Sequence, residues 1–233
     1  GTHKADWGKY FKLMDNIDLS KYIGEQFNLI GRYNFADQTT PFSGVFDGNG
    51  YTISNFTYNY TQSPQEYIGL FGYVWYGTIK NLRMQNININ TQVGGVDSGA
   101  LVGRLYTNST ISDCHVSEGS VTVENSTGAG LAGYIQAGTV TDCSVTGLNI
   151  TSNTSNAGGI TSSNYGGHIS NCSFEGTVYG QYDVGGLAGI NGSVISRCYV
   201  NANVNGFQDV GGLIGSNSGT ISQCYSQGTV QTH

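Results

Sequence analysis

Five cysteines occupy one equivalent place in a repeating unit: Cys114, Cys143, Cys172, Cys198 and Cys224. Stacked in register, their Cα atoms would lie ~4.8 Å apart, inside the range a disulfide accepts. Parallel Cβ vectors would hold the Cβ atoms at about the same distance, slightly too far for a relaxed bridge. Five is also an odd number. A buried ladder of reduced thiols, acting as small apolar core residues, is the favoured reading, with strained disulfides as the alternative. A metal is not expected, because no His lies at ligand spacing and ladder atoms do not converge tetrahedrally. A second ladder runs through Glu66, Asp97, Thr127, Asn156, Asp183 and Asp209. Short oxygen-bearing side chains at a strand entrance are turn chemistry first. Stacked Asp183 and Asp209 would repel, so calcium at that pair is the secondary reading. The stretch Asp47-Gly48-Asn49-Gly50 likewise reads as a tight turn before it reads as a calcium loop. Eight Asn-x-Ser/Thr sequons complete the set. Asn108, Asn125, Asn149 and Asn153 fall in turns as the most accessible acceptors, Asn59 and Asn191 are further candidates, and Asn55 and Asn171 should face outward beside inward neighbours.

Catalysis asks for more than these residues offer. Glycoside hydrolysis needs two facing carboxylates, and lyase chemistry needs a base beside a cation. His115 and His168 are isolated, His3 and His233 are terminal, and Arg197 is the only basic side chain after Arg104. No enzyme is expected. Tyr58, Tyr60, Tyr76, Tyr165, Tyr179 and Tyr182 read as exposed rings that could stack on sugars, the basis of a carbohydrate-binding alternative. Ice binding would need regular Thr ranks, and the Thr positions shift between repeats.

The elements that hold these ladders are repeats. The unit Asp209-Val210-Gly211-Gly212-Leu213-Ile214-Gly215, followed by Thr220-Ile221-Ser222-Gln223-Cys224, stands one period earlier as Asp183 to Gly189 with Val194 to Cys198. It recurs around Gly159-Ile160, Gly130-Leu131 and Ala100-Leu101. Ile79-Lys80-Asn81-Leu82 and Ile53-Ser54-Asn55-Phe56 read as earlier copies. From Phe56 the marker advances by 26, 32, 29, 29, 26 and 26 residues. A period in this range without a helical stripe predicts a solenoid. Apolar runs and alternation bounded by Gly, Asn, Ser and Thr are strand and turn chemistry. Three strands of about five residues with three turns make one coil of a parallel β-helix. The expected fold is all-β, a right-handed parallel β-helix of about seven or eight coils.

The Gly-Leu-x-Gly core, the Gly-Thr-Ile-Ser after it and the Cys-Tyr or Cys-Ser that follows resemble the GLUG repeat. The lead-in Phe42-Ser43-Gly44-Val45-Phe46-Asp47-Gly48-Asn49-Gly50-Tyr51 fits the same pattern, and the resemblance spans roughly residues 42–230. Gly159-Ile160-Thr161-Ser162 departs by lacking the second glycine, so a wider turn is expected there. The resemblance implies a β-helical module of large surface or secreted proteins of bacteria and archaea, including non-catalytic regions of some IgA-cleaving proteases. It implies no activity.

Composition agrees with an extracellular or cell-surface location. The chain has 36 Gly, 10% charged and 38% hydrophobic residues. A net charge of -6 gives nucleic acid no basic footprint. No apolar run approaches the roughly 20 residues a membrane span needs. No signal peptide is visible, and a first residue of Gly rather than Met reads as a processed or cut end. Residues 1–41 read as an N-terminal cap and first coil, with a short helix near residues 6–11 and a plug of Trp7, Phe27, Phe35, Phe42 and Phe46. Residues 42–233 read as one continuous repeat domain. Past Cys224 no charge or Pro blunts the last coil. A longer repeat array or head-to-tail stacking of copies into a fibre would explain that edge. Trp7 and Tyr10 at one end, and Leu213, Ile221, Tyr225 and Val230 at the other, are the candidate assembly contacts. The expected function is structural, with an adhesin stalk or carbohydrate-binding module as alternative and glycans as further partners.

Overall fold

The computed structural model describes residues 3–22, 27–33, 39–61 and 67–233. Phe35 and Glu66, named above, lie outside these residues. The chain is a parallel β-solenoid, and among the described residues every strand-to-strand ladder is parallel. One narrow face stacks six short strands: Phe71–Val74, Val102–Leu105, Ala132–Ile135, Thr161–Asn164, Ala188–Asn191 and Ile214–Asn217. They define about six turns, fewer than the seven or eight expected. The difference lies at the N-terminal end, where Ile30 and Phe42 make single bridges to Phe71 and Val74 instead of a strand. Tyr10–Lys12 and Ile17–Asp18 cover the same end by pairing with Val45–Asp47 and Thr52–Ser54. The helix expected near residues 6–11 is a single 3-10 turn at Lys4–Asp6.

The broad face is built differently from three short strands per coil. Single bent strands carry it, among them Thr78–Thr91, Thr110–Val123 and Ser144–Gly158. The bend has a specific cause. Asn81, Asp113, Asp142, Asn171, Arg197 and Gln223 all take φ between 50° and 55°, each one residue before the ladder position of Leu82 or a cysteine. A strand with strict period two would send Ile111 and Cys114 to opposite faces. The left-handed residue between them turns both inward, and both are buried. Asn and Asp tolerate this backbone region best, which accounts for four of the six.

The register also corrects the repeat alignment. Leu82 is the partner of Cys114. On its other side Phe46, not Ile53, stands opposite Ile79, and Thr57 stands opposite Asn88. Phe56 therefore belongs to the Ile87 column rather than to the cysteine column.

The second glycine of Gly-Leu-x-Gly has a packing reason. A Cβ on Gly133 would lie 2.6 Å from both the Gly103 carbonyl oxygen and the Ser98 nitrogen. At Ser162, which replaces that glycine, no wider turn appears. Thr161 and Ser163 keep register with both neighbouring coils, and the Ser162 hydroxyl donates to the Gly133 carbonyl at 2.5 Å. The core is a continuous column of Ile, Val, Leu and Cys. Large aromatics close it at the N-terminal end: Phe42 packs on Phe71 at 5.1 Å, Phe46 on Phe71 at 5.2 Å and Phe27 on Phe56 at 5.4 Å.

Candidate functional site

The residue after that second glycine points away from the core on the narrow face. In successive coils it is Tyr73, Arg104 and Tyr134, in register. Arg104 is the centre of what these positions build. Its guanidinium carbon lies 4.1 Å from the ring centre of Tyr134 and 5.0 Å from that of Tyr67. It donates to the Tyr67 hydroxyl at 2.7 Å and to Gln136 Oε1 at 3.0 Å, and stands 3.6 Å from the Asp97 carboxylate. Thr127 donates to Asp97 at 3.2 Å. A cleft of about 280 Å³ opens beside Tyr67, Asp97, Arg104, Asn125, Thr127 and Tyr134. Burial raises Asp97 to about 6, against the pull of the Arg104 charge. Burial works to lower Arg104, yet Asp97 and Tyr67 outweigh it and the guanidinium is held more firmly protonated. Tyr73, beneath the cluster, is pushed up to about 12 by burial and then by Tyr106 and Tyr67.

A second column borders the first at the corner of the coil. Backbone N–H groups of Tyr106, Gln136 and Tyr165 donate to Val74, Leu105 and Ile135 of the preceding coil at 2.9, 3.0 and 3.0 Å. Trp75, Tyr106, Gln136 and Tyr165 thus follow one another coil by coil. Trp75 stacks on Tyr76 at 5.6 Å and meets Tyr106 edge-on at 5.6 Å, while Tyr134 stacks on Tyr165 at 5.3 Å. Gln136 ties the columns, accepting from Arg104 and donating to Tyr106. Trp75, Tyr76 and Tyr165 keep 37%, 58% and 52% of their surface in solvent. Tyr76 holds φ at +61°, the one aromatic in the left-handed region among the described residues.

Of the tyrosines expected on the surface, Tyr76, Tyr165 and Tyr182 are exposed and Tyr179 is half-buried. Tyr58 and Tyr60 are instead buried, because the strand Thr57–Tyr60 turns alternate residues inward after Phe56. Sequence reasoning passed over Trp75, Arg104, Tyr106 and Tyr134. Aligning the residue after each second glycine would have brought Tyr73, Arg104 and Tyr134 into one column.

The cysteines all carry free thiols, buried except for half-buried Cys224. Each Sγ donates to the carbonyl two residues back, at 3.1 Å for Cys143 and 3.2 Å for Cys172, Cys198 and Cys224. Hydrogen bonding to the preceding thiol of the ladder, together with burial, raises Cys143, Cys172 and Cys198. Asp183 is half-buried and Asp209 exposed; burial, then the Asp209 charge, raises Asp183. No group of three or more His, Cys, Asp and Glu among the described residues is arranged to hold a metal ion.

Asn59, Asn108, Asn125 and Asn149 are exposed, and Asn153 is half-buried with its amide on Glu124. Asn191 is corrected. Its side chain is wholly buried in an amide ladder that receives from Asn164 at 2.9 Å and donates to Asn217 at 2.7 Å, so it offers no acceptor for a glycan. Trp7 is corrected too, being 4% exposed beneath the N-terminal end, whereas Tyr10 is 58% exposed. Leu213 is half-buried, and Ile221, Tyr225 and Val230 are exposed.

Comparison with known proteins fits this architecture. The GLUG motif matches residues 124–151, 153–179 and 208–231. The chain is 35% identical over 103 residues to a protein of Evansella cellulosilytica described as a Gly-rich membrane protein. It is 34% identical over 99 residues to Halomucin of Haloquadratum walsbyi. These matches cover 42% and 40% of this chain but only 11% and 1% of those proteins. A crystal structure from Bacteroides ovatus, described as an immunoglobulin A1 protease, superposes with a TM-score of 0.64. That match covers 95% of this chain and 71% of the other, at 19% identity, a likeness of fold alone.

Proposed function

Proceeding from a chain that carries GLUG repeats, we propose that it serves as a structural rod at the cell surface, in which a further coil, from more repeats of the same protein or from a further copy, continues the C-terminal edge. Both similar proteins carry names of a surface or membrane kind and are far longer than this chain. The observation that carries the reading is the state of the last coil. Ile221 is 36% and Val230 49% exposed, while their register partners Ile195 and Val204 are fully buried. Among the described residues Tyr225–Thr232 pairs with Tyr199–Gly206 on one side only, so its other edge is a template for one more parallel strand. A head-to-tail contact of this kind does not close and builds a filament. The opposite end offers Met14, Tyr10 and Ile17, which are 76%, 58% and 38% exposed.

Outward Asn59, Asn108, Asn125 and Asn149 would carry glycans in a host that N-glycosylates exported proteins, adding mass to the bare 24.7 kDa. The experiment is electron microscopy of the purified chain with its mass in solution. Filaments with an axial repeat on the order of 30 Å, six ~4.8 Å coils, are the expected result. Monodisperse particles of single-chain mass at every concentration would overturn the stacking.

A further inference from the structure

Beyond its ring contacts between neighbouring coils, the aromatic corner of the narrow face leaves Trp75, Tyr76 and Tyr165 exposed. We propose that Trp75, Tyr76, Tyr106, Gln136 and Tyr165 form a binding strip for a neutral polysaccharide lying along the solenoid axis. Four observations converge. Two aromatic pairs frame the strip, Trp75 with Tyr76 and Tyr165 with half-buried Tyr134, and Trp75 and Tyr165 stand three coils apart, on the order of 14 Å along the axis. Between them lie the amide of Gln136 and the hydroxyl of Tyr106, planar and hydroxylic groups that match sugar hydroxyls. Exposed aromatic rings gathered in one strip mark a contact surface, and Trp and Tyr serve ligands with one apolar face and polar edges. Sugar rings are such ligands.

The fourth observation is backbone geometry. Tyr76 holds a left-handed φ that burial does not offset, since its ring is 58% exposed. What it achieves is a ring laid against Trp75 at 28° between planes.

Charge selects the ligand class. Arg104, the one cation in the cluster among the described residues, is already shared between Asp97, Tyr67 and Gln136. The chain as a whole carries -6. An acidic glycan would find no free positive partner and a net repulsion.

The test is affinity electrophoresis of the full chain through gels containing hydroxyethylcellulose, dextran or galactomannan, with alginate as the acidic comparison. Retardation by at least one neutral polymer and none by alginate is expected. Trp75→Ala and Tyr165→Ala should each weaken it at least tenfold. Tyr182→Ala, an exposed tyrosine away from the strip, should leave it unchanged. Both strip residues are exposed, and an unchanged thermal midpoint confirms that the variants fold. A second readout is Trp fluorescence. Trp7 is buried, so quenching by acrylamide reports chiefly on Trp75, and bound polymer should shield it. The proposal is overturned by mobility unchanged in all three neutral polymers, by retardation in alginate alone, or by strip variants that bind like the parent.

Discussion

Asp97 is the carboxyl whose surroundings move it well away from a free side chain. Asp97 is raised from 3.8 to about 6 because burial outweighs the guanidinium beside it. The folded state therefore binds this proton more tightly than the unfolded chain, and stability falls as pH rises from about 4 to about 6. Relative to the parent, Asp97→Asn should gain up to about 3 kcal/mol across that window and then level off. Thermal midpoints of both proteins, taken through the window, measure this; a flat difference curve would show the carboxyl to be unperturbed. The thiols make a parallel case. Four are buried under raised pKa values or core packing, and only Cys224 is half-buried. Ellman's reagent should find no more than this one slow thiol in the native chain and all five after unfolding. Two missing hydrogens in the intact mass would instead reveal a bridge.

At the scale of elements, the coil depends on its bends more than on its strands. Asp113 at φ +50° places Ile111 and Cys114 on the same inward side. A β-branched replacement cannot take that backbone without strain of about 1–2 kcal/mol. Asp113→Val should therefore lower stability by that amount in denaturant unfolding, while Asp113→Asn should be near neutral. Equal midpoints for the two would mean that the bend is not left-handed. These bends also mark what the sequence makes legible. The period, the parallel stacking and the cysteine column follow from spacing alone. The bend did not, because Ser-Asp-Cys and Ser-Asn-Cys have the composition of a strand as readily as of a turn. Ile53-Ser54-Asn55-Phe56 matches Ile79 to Leu82 by type, and Asn55 even shares the bend of Asn81, whereas the register sets Phe46 opposite Ile79. The aromatic strip was hidden for a different reason. Trp75, Tyr106, Gln136 and Tyr165 share a column but no residue type, so only backbone register unites them. Asn191 shows the converse, a sequon legible as a motif whose amide the fold spends inside the ladder between Asn164 and Asn217.

For the whole molecule, a solenoid is as stable as its coils and the interfaces between neighbours, so an uncovered end frays first. The two ends are unlike. Lys4, Lys9, Lys12 and Lys21 crowd the N-terminal segment, whose strands have three and two residues. The C-terminal coil has no lysine and an eight-residue edge strand. Hydrogen exchange can read whether that edge is used. In dilute solution, amides of Tyr225–Thr232 that do not reach Tyr199–Gly206 should exchange fast, and their equivalents in Tyr199–Gly206 slowly. If copies stack, raising the protein concentration should protect the first group and leave the second unchanged. Protection should spread no further than the N-terminal segment that receives it. Exchange at Tyr225–Thr232 that stays fast at every concentration would leave the edge open in solution, and the rod would then need a different neighbour to cover Ile221 and Val230.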